Sequence, residues 1–295
     1  MSRFERVSVR RPLSVGLAVA ATGIGLVALG RRREERAADR AVCRLVAAGR
    51  RDLSRAGTGD DHADLPEPVR RYLDAVRPEG TPPTERVRID QAGELRLGDA
   101  DSPWKPFSAT HHATVGRPGF VWDARVELRP FVSVRIRDAV VDGEGSARVA
   151  LCSAFPVAGA GSSPELNEAA LQRYLAEAVW YPTALLPSAG VRWEPIDDRT
   201  ARATLTHRGT TASLTFHFSE RNRVERVHAE RRYRSVDGGF EPTPWTGLWR
   251  GYERRGRVAI PTEGEVVWHL PDGDLHAWRG RVVGVERWER GETDR

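Results

Sequence analysis

Apolar and polar positions divide the chain into three stretches. Pro12 to Gly30 is nineteen residues without a charge, set between Arg10-Arg11 and Arg31-Arg32-Arg33. A helix of that length, at about 1.5 Å rise per residue, just crosses the hydrocarbon core of a bilayer. From 31 to 55, Ala38, Ala41, Val42, Leu45, Val46 and Ala48 recur at helical spacing among Arg and Glu. That stripe predicts a helix lying on a membrane surface or standing as a solvated stalk. Gly57 to Asp61 breaks it. A short helix follows over 66–73, with proline in its first turn, and Pro78 to Pro83 ends it.

From Arg86 onward the period changes to two. Val87 and Ile89, then Leu95 and Leu97, predict a hairpin across Ala92-Gly93, and 120–128 and 132–137 alternate in the same way. A further strand over 140–150 runs past the turn at Asp142-Gly143. One helix interrupts the pattern: Ser162 caps it, Glu165 completes a capping box, and Pro182 stops it. Strands resume at 201–207 and 212–218, a hairpin across Arg208-Gly209-Thr210. Further runs follow at 223–234, 246–254, 258–260, 265–270, 275–278 and 282–288. The fold class predicted is mainly β (α+β). It is a curved antiparallel sheet or half-barrel of about ten or more strands with one central helix, preceded by a transmembrane helix. The organisation predicted is an anchor over 1–30, a basic helical stalk and linker over 31–60, and a β-rich body over 61–295.

Charge changes the picture at one point. The pI near 9.7 invites a nucleic-acid reading, but the excess is not in the body. Residues 1–60 hold 13 arginines against 6 acidic residues, a balance of +7, whereas 61–295 hold 33 basic and 35 acidic residues, a balance of −2. A duplex-binding domain needs its basic stripe in the folded part. A cluster beside an apolar segment suits anionic lipid headgroups, so the partner expected is the lipid bilayer and not nucleic acid. Three readings compete for 12–30, and a buried soluble helix fails because it would need a packed shell near the extreme N-terminus. Ala28 and Gly30 are spaced as for leader cleavage, whereas Arg31-Arg32-Arg33 directly afterwards hinder export and favour a retained single-pass anchor. The larger arginine count on the C-terminal side leans the body towards the cytoplasm. Two cysteines, Cys43 and Cys152, offer neither a disulfide framework nor a zinc pattern. The sequence leaves the oligomeric state open.

The central segment carries a resemblance. Arg173-Tyr174-Leu175-Ala176-Glu177, then Trp180-Tyr181-Pro182-Thr183-Ala184-Leu185-Leu186-Pro187, then Val191-Arg192-Trp193-Glu194 resemble an uncharacterised prokaryotic family of unknown function. Leu65-Pro66 with 69–73, Trp104 to Phe107, 120–124 and Gly256 to Pro261 also match, so the resemblance covers about 64–285. It brings no accepted catalytic residues. The shape it implies is a curved sheet around an apolar interior, by analogy with lipoprotein-carrier half-barrels.

Candidate chemistry is sparse. Nine tryptophans lie in the body. On a curved sheet, Trp122, Tyr174, Trp180, Trp193, Trp245 and Trp268 are candidates to line a pocket for a lipid or other hydrophobic molecule, or else ordinary core packing. Glu177 follows Arg173 by one helical turn, close to Trp180. A carboxylate beside an indole can act as an acid or base, and the plainer reading is an ion pair with Arg173. His207 shares the strand parity of Ala203 and Leu205 and so points inward, whereas His217 points outward. His111 and His112 point to opposite faces and cannot share a metal. No nucleophile elbow, Walker loop or dinucleotide fingerprint is present, and no cofactor or metal is expected. The function predicted is membrane-anchored, non-enzymatic binding of a hydrophobic ligand. The alternative is a membrane-associated enzyme using Glu177 and an inward histidine such as His207.

Overall fold

A computed structural model describes the backbone of residues 10–50 and 65–289, and the side chains of 25–49 and 65–289. Helix α1 (Arg10–Arg50) is followed by a short α2 (Glu67–Val76). A first run of strands comes next: β1 (Thr84–Leu95), β2 (Lys105–Thr114), β3 (Gly119–Arg129), β4 (Val132–Val141), β5 (Glu144–Leu151) and β6 (Phe155–Ala160). Helix α3 (Pro164–Glu177) and three 3-10 turns lead into a second run: β7 (Val191–Asp197), β8 (Thr200–His207), β9 (Thr210–Phe218), β10 (Val224–Val236), β11 (Gly239–Arg255), β12 (Val258–Leu270) and β13 (Gly273–Glu289).

All thirteen strands join one antiparallel sheet, in the order β6-β5-β4-β3-β2-β1-β13-β12-β11-β10-β9-β8-β7. The chain meanders outward from β1 to the edge at β6, crosses by way of α3, and meanders back from the other edge, β7, until β13 pairs with β1. The predicted curved half-barrel with one central helix is the observed fold. Its two wings meet at one end, where Asp142 in the β4–β5 turn accepts from Arg208 in the β8–β9 turn (2.8 and 3.1 Å) and from Arg117 after β2 (2.9 Å).

Several predicted breaks are continuous strand. The hairpin expected at Ala92-Gly93 lies inside β1, because that glycine serves close approach rather than turning. Gly93 sits opposite Gly280 of β13, and a Cβ on it would meet the Arg279 carbonyl at 2.2 Å. The pair 258–260 and 265–270 is one strand, β12, and 275–278 and 282–288 are one strand, β13. Pro261 is tolerated inside β12 because it faces Tyr252, beside Gly251 (φ +64), where Thr262 Oγ1 donates to the Gly251 carbonyl at 2.7 Å. The helix cap is Ser163 rather than Ser162: its hydroxyl accepts the Leu166 amide at 3.2 Å.

The stripe on 31–49 turns towards the sheet. Ala41 and Leu45 pack on Val121 and Ala139, on the face of β3 and β4 turned away from α3. Glu34 is buried there, with Arg148 donating to it at 2.7 Å and Arg137 3.6 Å away. The apolar positions needed a partner, and the outer face of the sheet supplies it. Among the described residues no helix is long and apolar enough to cross a membrane. Residues 12–24 of the expected anchor lie outside the residues whose side chains are described.

Candidate functional site

Helix α3 forms where a capped start meets a run of good helix formers, Ala, Leu, Glu and Gln. From Ala169 to Glu177 it is buried almost all round, which marks a helix inside a fold rather than on its surface. It lies on the concave face, against β9 and β10 on one wing and β3, β4 and β5 on the other. The 3-10 turns that follow continue the filling. Tyr174, Trp180, Tyr181 and Leu185 join one core cluster with both wings, so the interior is packed.

The aromatic candidates take up places in that packing. Four of their polar ends are satisfied internally: Trp122 donates to Gln91 (2.9 Å), Tyr174 to the Thr114 carbonyl (2.9 Å), Trp180 to the Pro261 carbonyl (3.1 Å) and Trp193 to the Leu185 carbonyl (2.8 Å), whereas the buried Trp245 indole nitrogen has no hydrogen-bond partner among the described residues. On β11 to β13 the rings cover glycines. Trp245 lies on Gly247, Trp249 on Gly264 and Trp278 on Gly280, each within 3.0 Å of where a Cβ would stand. A bare glycine leaves a flat hollow on a sheet, and a neighbouring indole fills it. Trp245 and Trp268 also flank Arg232, whose guanidinium carbon stands 4.9 and 5.1 Å from their ring centres.

Charge inside this core gathers around α3. Arg173 Nε donates to Glu177 Oε1 and its terminal nitrogen to Asp138 on β4, both at 2.9 Å. Arg232 on β10 donates to the Ala169 carbonyl at 3.3 Å. The inward histidine beside Glu177 is His111, not His207. Its Nδ1 lies 3.7 Å from Glu177 Oε2, and its ring stacks on Phe120 and Tyr181. His207 instead ends β8 near the wing-closing turn, 3.8 Å from where a Cβ on Gly143 would stand. Neither nitrogen of His111 and no partner for Glu177 Oε2 meets hydrogen-bond geometry among the described residues.

Burial holds the His111 pKa well below its ordinary value, and the Arg173 charge adds to the effect. His111 is therefore neutral, and its contact with Glu177 is not an ion pair. Burial raises the Glu177 pKa, opposed by Arg173 and Arg232. Burial lowers that of Arg232 to about 10. With two guanidinium groups, two carboxylates and a neutral imidazole, the cluster balances its charge. Such a set can anchor α3 in the concavity, and it sets two titratable groups, the Glu177 carboxylate and the neutral His111 ring, 3.7 Å apart. The signal that could have found His111 is the strand parity it shares with Phe107, Ala109 and Ala113. Asp138 and Arg232 carried no comparable signal.

An open groove lies elsewhere. Between α1 and the outer face of β4, β5 and β6 runs a trough of about 1270 Å³. Small residues make it: Ala37, Ala41 and Ala48 on the helix, Ala139 and Ser146 on the sheet, with Gly159 beside them on β6. Arg40, Arg44 and Arg148 stand along it, Arg148 held by Glu34, and Asp142 and Glu144 line its end at the β4–β5 turn. The span from Ala37 to Ala48 is about 17 Å of helix at 1.5 Å per residue, the length of a medium acyl chain. An apolar floor with guanidinium groups beside it suits an elongated molecule that has one acidic end.

Comparison with known proteins places the sequence but not its activity. The model of a family described as a family of unknown function (DUF6920) matches residues 63–286. No curated protein matches the chain. Solved structures are similar as well, two among them at low identity. One is a LolA superfamily protein, NE2245, from Nitrosomonas europaea, at 12% identity and TM-score 0.41, covering 75% of this chain and 92% of that one. The other is a β-barrel-like protein of domain of unknown function DUF1849 from Brucella abortus, at 10% identity and TM-score 0.28, covering 70% of this chain and 100% of that one.

Proposed function

We propose, for a chain that belongs to the DUF6920 family of unknown function, that it is a membrane-tethered, non-enzymatic protein that binds a lipid or similar amphipathic molecule. The tether is the uncharged stretch 12–30, and the body sits on the cytoplasmic side. The ligand lies in the groove between α1 and β4 to β6, its acyl part on the alanine floor and its acidic end against Arg40 or Arg44. The single observation that supports this site is the groove itself, which is elongated, floored by small apolar side chains and edged by arginine. The tryptophan interior is the poorer candidate, because α3 and the turns after it occupy that space.

The test is a titration of delipidated full-length chain with a fluorescent fatty acid. Ser146→Phe on the outer face of β5 with Ala48→Phe on α1 fills the groove without touching the core. Saturable binding that the double variant abolishes supports the reading. Unchanged binding in the variant removes the groove from it, and no binding by either protein overturns it.

A second reading, an acid–base enzyme, is favoured by the approach of His111 to Glu177. It stands second because neither residue lines the groove.

A further inference from the structure

Nine large hydrophobic side chains are exposed among the described residues, and six of them gather at one end of the molecule: Leu26, Leu29, Phe131, Leu151, Phe155 and Val157. The geometry fixes this grouping. Phe131 is at the tip of the β3–β4 turn. Leu151 pairs with Val134 just beyond that turn and with Phe155 across the β5–β6 turn. The Cys152 amide donates to the Ser133 carbonyl at 2.7 Å, which holds the two turns together. Helix α1 leaves the body here: Arg31 Nε donates to the Cys152 carbonyl at 3.0 Å, and Gly30 presses on Ala154. N-terminal to that contact, the sequence is the uncharged stretch.

Phe131 is out of place twice over. It is 98% exposed, and its φ of +68° lies in the left-handed region that favours glycine or asparagine. A bulky aromatic gains nothing from water or from that backbone, so the position calls for a partner outside the chain. The setting says which. Arg32, Arg33 and Arg129 are exposed around the patch, a cationic collar to an apolar tip and the pattern of a surface that enters anionic lipid. The opposite end, with Arg117, Asp142 and Arg208 paired among themselves, has no such character.

We infer that this end is a bilayer-docking surface. Phe131, Leu151 and Phe155 enter the headgroup layer beside the emerging helix, and the arginines meet lipid phosphates. The inference rests on the membrane-tethered reading and adds a fixed orientation to it. Val157 of the patch and Pro156 next to it also line the groove, so in this orientation the groove opens towards the bilayer that would supply its ligand.

The test is spin-label accessibility in the full-length chain, with Cys43→Ser and Cys152→Ser and one label at Phe131→Cys. A second protein carries the label at Val157→Cys, which leaves Phe131 intact, and a control carries it at Thr211→Cys at the far end. Each is reconstituted into phosphatidylcholine–phosphatidylglycerol vesicles. Expected at 131 and 157 is high accessibility to oxygen and a several-fold lower accessibility to an aqueous nickel chelate than at 211. Labels at 131 and 157 that are as open to nickel as the one at 211, on chain bound to vesicles, overturn the docking surface and leave the tether standing. A chain that does not partition to vesicles overturns both. Shielding from both relaxants refutes lipid contact. If that shielding comes with dipolar broadening that unlabelled chain relieves, the patch is a contact between copies.

Discussion

His111 is the residue whose chemistry is most exposed to test. Its folded pKa is depressed, so between the unfolded value near 6.5 and the lower folded value the unfolded chain binds the extra proton. Stability from keeping it neutral is complete above about pH 6.5 and is lost as pH falls below that, by up to about 1.4 kcal/mol per pH unit. Glu177, with a raised pKa, has the opposite sign, favouring the folded state as it becomes protonated. His111→Leu should therefore flatten the loss of stability between pH 6.5 and 5, measured by denaturant unfolding; parallel curves for variant and wild type would refute the assignment. Glu177→Ala strands Arg173 and Arg232 with Asp138 alone and should cost about 3–5 kcal/mol, part of it recovered by adding Arg173→Met. At this scale the sequence was partly legible. The i,i+4 spacing gave the Arg173–Glu177 pair, whereas for His111 and His112 the strand gave only that they face opposite sides. Parity says nothing of position along a strand: His207 closes β8 beside the Gly143 turn, while the histidine beside Glu177 is His111.

Among the elements, helices and strands with clear periodicity came through, and the errors cluster at glycine and proline. Those residues mark turns in most chains, yet here Gly93 and Gly280 let two central strands approach, and Pro261 runs within a strand. Gly93→Ala should destabilise the fold by roughly 1–3 kcal/mol, since a methyl group there meets backbone on β13. Gly161→Ala, with open space around it, should stay within about 0.5 kcal/mol. Thermal unfolding of the pair decides, and equal costs would contradict the close-approach account. Helix α1 teaches a related point. Its apolar stripe is written in the sequence, but what the stripe covers is not, because the partner face of β3 and β4 is assembled from residues about eighty positions away. The three 3-10 turns have no repeating pattern and could only be read as the stop after a helix.

At the scale of the whole molecule, the meander predicted a curved sheet and the sheet is curved. Its interior was beyond the reach of pattern. Strand periodicity shows which side chains face inward but not whether they meet each other or a ligand. Here they meet α3, and the tryptophans that read as a pocket lining close over glycines and arginine instead. The space that remains open is on the outer face, made by alanines that carry no signal of their own. If that groove is the ligand site, filling it should leave the fold intact while removing the lipid. Native mass spectrometry of the full-length chain released from its own membranes tests this directly. The account predicts a lipid adduct on the wild-type chain that is absent from Ala48→Phe/Ser146→Phe of equal thermal stability. A wild-type chain that flies bare, or a variant that keeps the same adduct, would contradict it.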